Sequence, residues 1–513
     1  MLEMLIAVSV LTLGISAVIM LVFANQRLRL ESGTSGEALY KAKTGLENAR
    51  ASSTVDFIGI VSTATTTDAI YAKKLDVANF TACRKEITSN ITWSTEKMRA
   101  QKIELKTDVT DTAGSLALGG DCATDPSVGG WTAPTTLGSL DPGTGKATGI
   151  DVMNKIVFLS TEDPSPAKED FFVIDATDGQ NPVTLAAINT GPSLNAVDAA
   201  RDPATGKLFA YVANNATSSQ LQIIDATVLT SPTLIGTADL QPAPLGTNSE
   251  GRSIFYYDKK VYMGTAYLPS VAPNPPRPEF HIIDVSNPAL PFELGSYDIS
   301  HNVNAIAVGG DYAYLATSDD TGEVWVLDIS NPASPAFVST FDAAGAEDGT
   351  SVHLVGTTLY FGRKQTPSSR PDFYILDVTT PTAISALGSK NLSMDPSIAQ
   401  VNGIYVIAGF AFLATGDSNE EFQVLNISNP ASIPSPIATY NFPEEAMGID
   451  FENNIVYAAV RSNDSLRIIR PAQCADMLDN DNDSAIDVAD AQCHADGDVN
   501  NPASYNPEDD DES

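Results

Sequence analysis

FFVID (171–175), LQIID (221–225), FHIID (280–284), VWVLD (324–328), FYILD (373–377) and FQVLN (422–426) are six versions of one segment, mostly apolar and ending in an acid or its amide. A seventh copy, LRIIR (466–470), keeps the apolar pattern and loses the acid. Their final positions, 175, 225, 284, 328, 377, 426 and 470, lie 50, 59, 44, 49, 49 and 44 residues apart. Short apolar runs rich in β-branched and aromatic residues, recurring at this interval, read as one strand of a repeating unit. Most copies continue into a turn such as VSNP (285–288) and a further strand such as FELGSY (292–297). Each period also holds two earlier apolar runs, for example VNAIAV (303–308) and YAYLA (312–316). Four short strands per period is the pattern of a propeller blade, so residues 129–471 are expected to form a seven-bladed β-propeller.

The seventh copy reaches Pro471 and then meets a different composition, so it lacks a fourth strand. The missing strand stands at the front of the unit, where PTTLGSL (134–140) reads like PFELGSY (291–297). An N-terminal strand completing the last blade closes the ring and removes sheet edges that invite aggregation. The acid that ends each copy is expected to cap its strand-to-turn junction through the backbone rather than hold a ligand. On these residues the chain resembles the LVIVD-repeat β-propellers of bacterial and archaeal surface proteins, over about residues 131–471.

At the other end, Met4 to Gln26 contains no charged residue, and its 23 residues as a helix are long enough for about 30 Å of hydrocarbon. Basic residues ahead of the run and a small-x-small cleavage site after it are missing, so the segment is expected to be retained. Leu28, Leu39, Ala42, Leu46 and Ala49 then recur at mostly helical spacing among charged residues, which extends one helix over residues 1–52, with 1–26 as its membrane or filament-core part. An acid at the head of an apolar helix is costly in lipid unless it is neutralised, so Glu3 asks for a role. MLEMLIAV (1–8), with the apolar stretch and its amphipathic continuation, resembles the start of type IV pilins and pseudopilins. That resemblance implies that Glu3 pairs with the terminal amine of a neighbouring subunit during filament assembly. The family glutamate is the fifth residue of the processed chain and here it is the third, so the sequence is expected to begin two residues inside the mature protein or at an internal Met. The alternative is a membrane anchor in which Glu3 is incidental.

Residues 53–128 are expected to be a small pilin-like β head. KEITSNITW (85–93) and KIELKTDV (102–109) alternate apolar with polar around EKMR (96–99), which is a hairpin pattern. Its apolar face is expected to lie on the amphipathic half of the helix.

Four cysteines in two local pairs, Cys83 with Cys122 and Cys474 with Cys493, suggest disulfides and an oxidising compartment, with buried free thiols as the alternative. The chain of 513 residues carries 64 acidic and 29 basic side chains, a net charge of −35, which excludes a phosphate-tracking surface and with it a nucleic-acid partner. From Cys474 to the end there are 13 acids and no Lys or Arg. Within 472–496, Asp479, Asp481, Asp483, Asp487 and Asp490 occupy positions 1, 3, 5, 9 and 12 of a twelve-residue loop, with Ala485 at position 7 able to offer its carbonyl. Hard cations need oxygens at that spacing, and the stretch resembles EF-hand-like and thrombospondin-type calcium loops. Ser484 stands where those loops have glycine and Asp490 where they have glutamate. Calcium is the expected cofactor, and a merely solvated acidic run is the alternative. Residues 497–513 are expected to be disordered.

No catalytic set is apparent. His281, His301, His353 and His494 show no zinc-ligand spacing, and Gly143-Thr-Gly-Lys146 lacks the rest of a phosphate loop. The expected fold is thus mainly β with one long N-terminal α-helix: a pilin-like helix and small β head, then a seven-bladed propeller closed by an N-terminal strand. The expected function, which the pilin resemblance implies, is a non-enzymatic subunit of an extracellular pilus. It starts as an inner-membrane precursor, assembles with other pilin subunits through its helix, and displays the propeller for adhesion or for an unidentified surface ligand. A membrane-anchored envelope receptor that never polymerises is the alternative.

Overall fold

The computed structural model describes residues 33–53, 57, 60–81, 84–94, 100–111, 130–143, 145–162, 167–216, 218–240, 249–269, 277–364, 370–392, 400–475, 487–495, 497–501, 504–506 and 509. The chain divides into two compact units, the first holding residues up to Asp111 and the second essentially everything from Thr112 onward. The described structure is mainly β, with one α-helix and eight four-stranded antiparallel sheets.

In the first unit, residues 33–53 form helix α1. Strands β1 (Thr66–Asp68), β2 (Tyr71–Thr81), β3 (Arg84–Ser94) and β4 (Ala100–Thr110) come next in one sheet, in sequence order. The hairpin expected at 85–93 and 102–109 is β3 and β4, paired from Arg84↔Thr110 to Ser94↔Ala100. Alternation puts Ile87, Ile91 and Trp93 on the buried face of β3. The helix answers with a stripe of small and apolar residues, Ala38, Ala42, Leu46 and Ala49, all buried against that face. Leu39, which the spacing alone placed on the apolar stripe, is 49% exposed, because Ala38 fits the closer approach to Tyr71 and Trp93. Lys85 shares the buried face, with Nζ donating to the carbonyls of Phe57 (2.8 Å) and Ile60 (3.0 Å), which satisfies a charge otherwise costly to bury. Among the described residues no helix is long and apolar enough to cross a membrane. Residues 1–32, with Glu3 and the charge-free stretch, lie outside the described residues, as do Cys83 and Cys122.

The second unit holds the tail and the other seven sheets. Six of them are four consecutive strands, such as Val303–Gly309, Tyr312–Thr317, Val324–Asp328 and Ala336–Phe341. The seventh takes three strands from residues 446–471 and its outer strand, β5 (Pro134–Leu140), from the front of the unit. The repeated segment is always the third strand, buried on both faces. In six of the seven sheets the step to the outer strand carries a register shift after the third position of the segment: Ile282↔Gly295 is followed by Ile283↔Glu293. The pairing of Leu466–Pro471 with β5 repeats this, Ile468↔Gly138 and then Ile469↔Thr136. The outer-strand glycine at this bulge has a packing reason. A Cβ on Gly295 would run into the Pro332 carbonyl in the turn of the next sheet, and one on Gly388 into that of Pro430.

Neighbouring sheets are tied through their innermost strands. Thr148 Oγ1 donates to the Leu194 carbonyl (2.7 Å), Asn195 Nδ2 to Gly251 (2.6 Å), Ser253 Oγ to Val303 (3.0 Å), Asn304 Nδ2 to Gly349 (2.7 Å), Thr350 Oγ1 to Val401 (2.6 Å) and Asn402 Nδ2 to Ala446 (2.8 Å). Between the last sheet and the first, Val152 N donates to Asp450 Oδ2 (2.6 Å), and Asn154 N and Lys155 N donate to Glu452 (2.9 and 2.6 Å). Every sheet is therefore bonded to the next, and the seventh to the first.

Candidate functional site

Of the calcium-type positions in the acidic tail, Asp479, Asp481, Asp483 and Ala485 lie outside the described residues. Asp487 opens a short 3₁₀ turn, Asp487–Ala489, that leads to Asp490. Asp490 is fully buried: Oδ1 accepts from Gln492 N (2.8 Å), while Oδ2 is buried without a hydrogen-bond partner. A buried carboxylate oxygen left unpaired is costly unless a proton or a cation completes it, so the donor chemistry at position 12 of the loop fits a hard cation. Cys474 and Cys493 form a disulfide with Cα atoms 5.4 Å apart, and both are buried. Past it, the described residues 497–501, 504–506 and 509 carry hydrogen bonds back to the segment around the disulfide. His494 Nε2 bonds to the Val488 carbonyl (3.0 Å) and Nδ1 to Ser504 Oγ (3.0 Å). The hydroxyl of Tyr505 donates to the Cys474 carbonyl, and Asn506 N to that of Cys493 (2.9 Å). The chain is drawn back over the disulfide by backbone bonds that composition cannot show.

In the repeat sheets, the acid closing each segment does what a turn acid does. Ser286 N donates to Asp284 Oδ1 (2.8 Å), Ser330 N to Asp328 Oδ1 (2.9 Å) and Thr379 N to Asp377 Oδ1 (2.8 Å). Asp175 and Asp328 are held below the usual carboxylate range by hydroxyl bonds from Thr177 and Ser330 and by the backbone amides of the same residues. These side chains are spent on the turn that starts the outer strand.

The chain carries LVIVD repeats. Residues 277–299, 301–343 and 400–441 match the LVIVD repeat family. No curated protein matches the chain. Among solved structures, the computationally designed Ika8 protein is similar at 14% identity, covering 65% of this chain and 98% of its own, with a TM-score of 0.42. A chain of the mitotic checkpoint complex is similar at 15% identity, covering 66% and 92%, with a TM-score of 0.47. A quinonprotein alcohol dehydrogenase-like protein from Bacteroides thetaiotaomicron is similar at 12% identity, covering 69% and 82%, with a TM-score of 0.40. Likeness at this level bears on neither activity nor ligand.

The residue immediately before six of the repeated strands has a role that the spacing of the copies does not reveal. Asp170, Gln220, Glu279, Glu323, Asp372 and Glu421 are all buried there. Each accepts a hydrogen bond from a backbone N–H just past the outer strand: Thr190 to Asp170 (2.7 Å), Leu240 to Gln220 (3.0 Å), Ile299 to Glu279 (2.9 Å), Ala343 to Glu323 (2.8 Å), Leu392 to Asp372 (2.8 Å) and Phe442 to Glu421 (2.7 Å). One buried oxygen thus pins the exit of the outer strand to the entry of the LVIVD strand. Burial pushes Asp170 up to about 6, and Glu279, Glu323 and Asp372 up to about 7. The signal was present as an acid or Gln one position ahead of six copies. It reads as a solvent-facing loop end until the burial is known.

The histidines do not converge. Buried His281 bonds through Nδ1 to Glu293 Oε1 (2.8 Å) and through Nε2 to the Pro278 carbonyl (3.0 Å). His353 packs against Tyr405, and burial drives it down to about 4, which keeps it neutral. His301 stacks on Tyr267 between the third and fourth sheets, and His494 belongs to the tail. Among the described residues no group of three or more His, Cys, Asp or Glu is placed to hold a metal ion.

Proposed function

We propose that the chain is a type IV pilin-like filament subunit and that the seven LVIVD-type sheets form a closed seven-bladed propeller displayed for adhesion or ligand binding. The observation that carries this is the first unit: a helix whose small-residue stripe lies on an antiparallel hairpin sheet, preceded in sequence by a 23-residue charge-free stretch headed by an acid. That is the arrangement expected of a subunit that assembles through its helix and exposes the rest of the chain. Closure is supported by the pairing of β5 with Leu466–Pro471 and by the bonds that run from each sheet to the next and from the last to the first. The disulfide in the tail supports an oxidising, extracellular setting. Glu3 is assigned to subunit pairing, with the inner membrane as the site of the precursor. The test is Glu3→Ala in the native host, which is expected to abolish filaments while the protein remains in the membrane. Unchanged filaments would contradict the assembly role and favour a non-polymerising anchored receptor.

The tail is proposed to bind calcium through the oxygens of Asp479, Asp481, Asp483, Asp487 and Asp490 with the Ala485 carbonyl, supported by the unpartnered buried oxygen of Asp490. At affinities of roughly 10⁻⁴–10⁻³ M, typical of extracellular modules, millimolar calcium outside the cell would largely fill the site and a micromolar interior would not. Titration calorimetry on the full chain is expected to show calcium uptake that Asp483→Ala removes. No heat up to ~10 mM calcium would reduce the segment to an acidic tail.

A further inference from the structure

At one register position the first strands of three neighbouring sheets each carry a carboxyl group. Asp450 in Ala446–Glu452, Asp151 in Lys146–Met153 and Asp198 in Leu194–Arg201 lie opposite Tyr457, Phe158 and Tyr211 of the strands beside them. The other four sheets place Phe255, Ala307, His353 and Tyr405 there. Each acid reaches the next sheet: Asp450 Oδ2 accepts from Val152 N (2.6 Å), Asp151 Oδ2 from Ala199 N, and Asp198 Oδ2 from Tyr256 N (2.6 Å). Asp450 and Asp151 also meet through a side-chain hydrogen bond, and they are only 7% and 8% exposed. Two carboxylates have no hydrogen to place between them, so a bond from one carboxyl to the other requires that one proton be retained.

We infer that Asp450 and Asp151 hold one proton between them and that this acid pair is a pH-sensitive fastening of the seventh sheet to the first. The sheets it joins meet across residues 298 apart in sequence. Losing the proton would put two negative charges in contact out of water, beside Glu452, whose carboxylate already accepts from Asn154 N and Lys155 N. The other ionisable groups on the strands packed against the pair do not replace that proton. Burial keeps Tyr457 protonated, Tyr405 stacks on Phe451 (5.6 Å between centroids), and Glu162 is paired with Arg461 (2.7 Å). Asp198 is bonded to the third sheet, and the Arg201 guanidinium donates to the Gly206 carbonyl (2.8 Å). Burial pushes Asp151 up to about 6, against the bonds from Ala199 N and Asp450 that pull it down. A carboxyl raised on folding contributes fully below about pH 4, and that contribution is lost as pH rises through about 6.

Hydrogen–deuterium exchange on the full chain from pH 5 to 8, corrected for the intrinsic pH dependence of amide exchange, reads the fastening on peptides covering 150–156 and 446–452. The outer strand Thr233–Ala238 is the reference, because the residue that holds its exit is the neutral Gln220. Relative to it, protection of the two peptides is expected to fall about tenfold between pH 5 and 8. Asp151→Asn keeps an oxygen for Ala199 N and offers Asp450 a permanent N–H, so it should hold the pH 5 level of protection throughout. Native protection that does not change with pH against the reference would overturn the inference. An Asp151→Asn chain that loses protection as the native chain does would also overturn it, by assigning the titration to another group. The same holds for a variant unprotected at pH 5 with the reference intact, since the carboxyl would then act as a charged acceptor and not as the holder of a proton. If Asp151→Asn does not fold, Glu452→Gln decides: removing the neighbouring charge is expected to move the midpoint of the loss to lower pH, and an unmoved midpoint overturns the pair.

Discussion

Trp131→Ala is expected to lower the stability of the repeat unit by about 3–5 kcal/mol, the range for emptying a fully buried aromatic site. Trp131 is 1% exposed and stands three residues ahead of β5. Its ring centroid lies 4.8 Å from that of Phe412, 6.2 Å from Phe422 and 6.3 Å from Phe451, so it seats the start of β5 between the sixth and seventh sheets. Its Nε1 donates to the side-chain oxygen of Asn454 (2.9 Å), a buried residue at the turn of the seventh sheet, with φ at 57°. Truncation therefore leaves a cavity and an unpaired amide where β5 joins Leu466–Pro471. Trp131→Phe keeps most of the packing and loses the hydrogen bond, which corresponds to about 1 kcal/mol before the smaller ring is counted. Urea unfolding followed by circular dichroism separates the two, and equal small losses for both would mean that the joint does not depend on this anchor.

The second large effect is on pH. Asp170, Glu279, Glu323 and Asp372 are raised in the folded chain above their ordinary values by burial. A carboxyl raised on folding binds its proton more tightly in the native state, so its contribution is fully present below about pH 4 and is lost as pH rises through about 6–7. The turn acids act in the opposite sense. Asp175 and Asp328 are lowered by their hydroxyl partners, so their contribution is present above about pH 4 and fades as pH falls below it. The net charge of −35 adds repulsion as the last carboxyls ionise. The melting temperature is thus expected to peak between about pH 4 and 6 and to fall by about 5 °C or more by pH 8. Glu279→Gln with Asp372→Asn keeps an acceptor oxygen for Ile299 N and Leu392 N while removing the titration. That pair should flatten the alkaline side of the curve. A melting temperature that rises from pH 5 to 8 would contradict the placement of these acids in the interior.

The architecture was legible where one residue type had one possible partner. PTTLGSL (134–140) matched PFELGSY (291–297) because both must present a glycine at the bulge opposite the third position of an LVIVD strand, and Gly138 and Gly295 do sit opposite Ile468 and Ile282. The turn acids were legible for the same reason, since an Asp before a Ser or Thr two residues on has a local bond to make. The buried acids ahead of the strands were hidden because their partners lie 20 or 21 residues downstream, at the far end of the outer strand. Side-chain spacing cannot show a contact made with a backbone N–H. Leu39 was misplaced because helical periodicity alone does not distinguish it from Ala38, whose smaller side chain suits the close approach of α1 to its sheet. In the tail, acid spacing pointed to the loop, but the contacts beyond it run from His494 to Val488 and Ser504 and from Tyr505 to the Cys474 carbonyl, which composition registers only as a polar end.

If a helix-assembled filament carries this propeller on its surface, filaments sheared from the native cells should bind an antibody raised to the repeat unit. Electron microscopy of such filaments with gold-labelled antibody reads this out. Label along the filament, or concentrated at one end, is the predicted result and distinguishes a repeating subunit from a tip subunit. Intact filaments without label, with all of the antibody on the cell envelope, would contradict filament display.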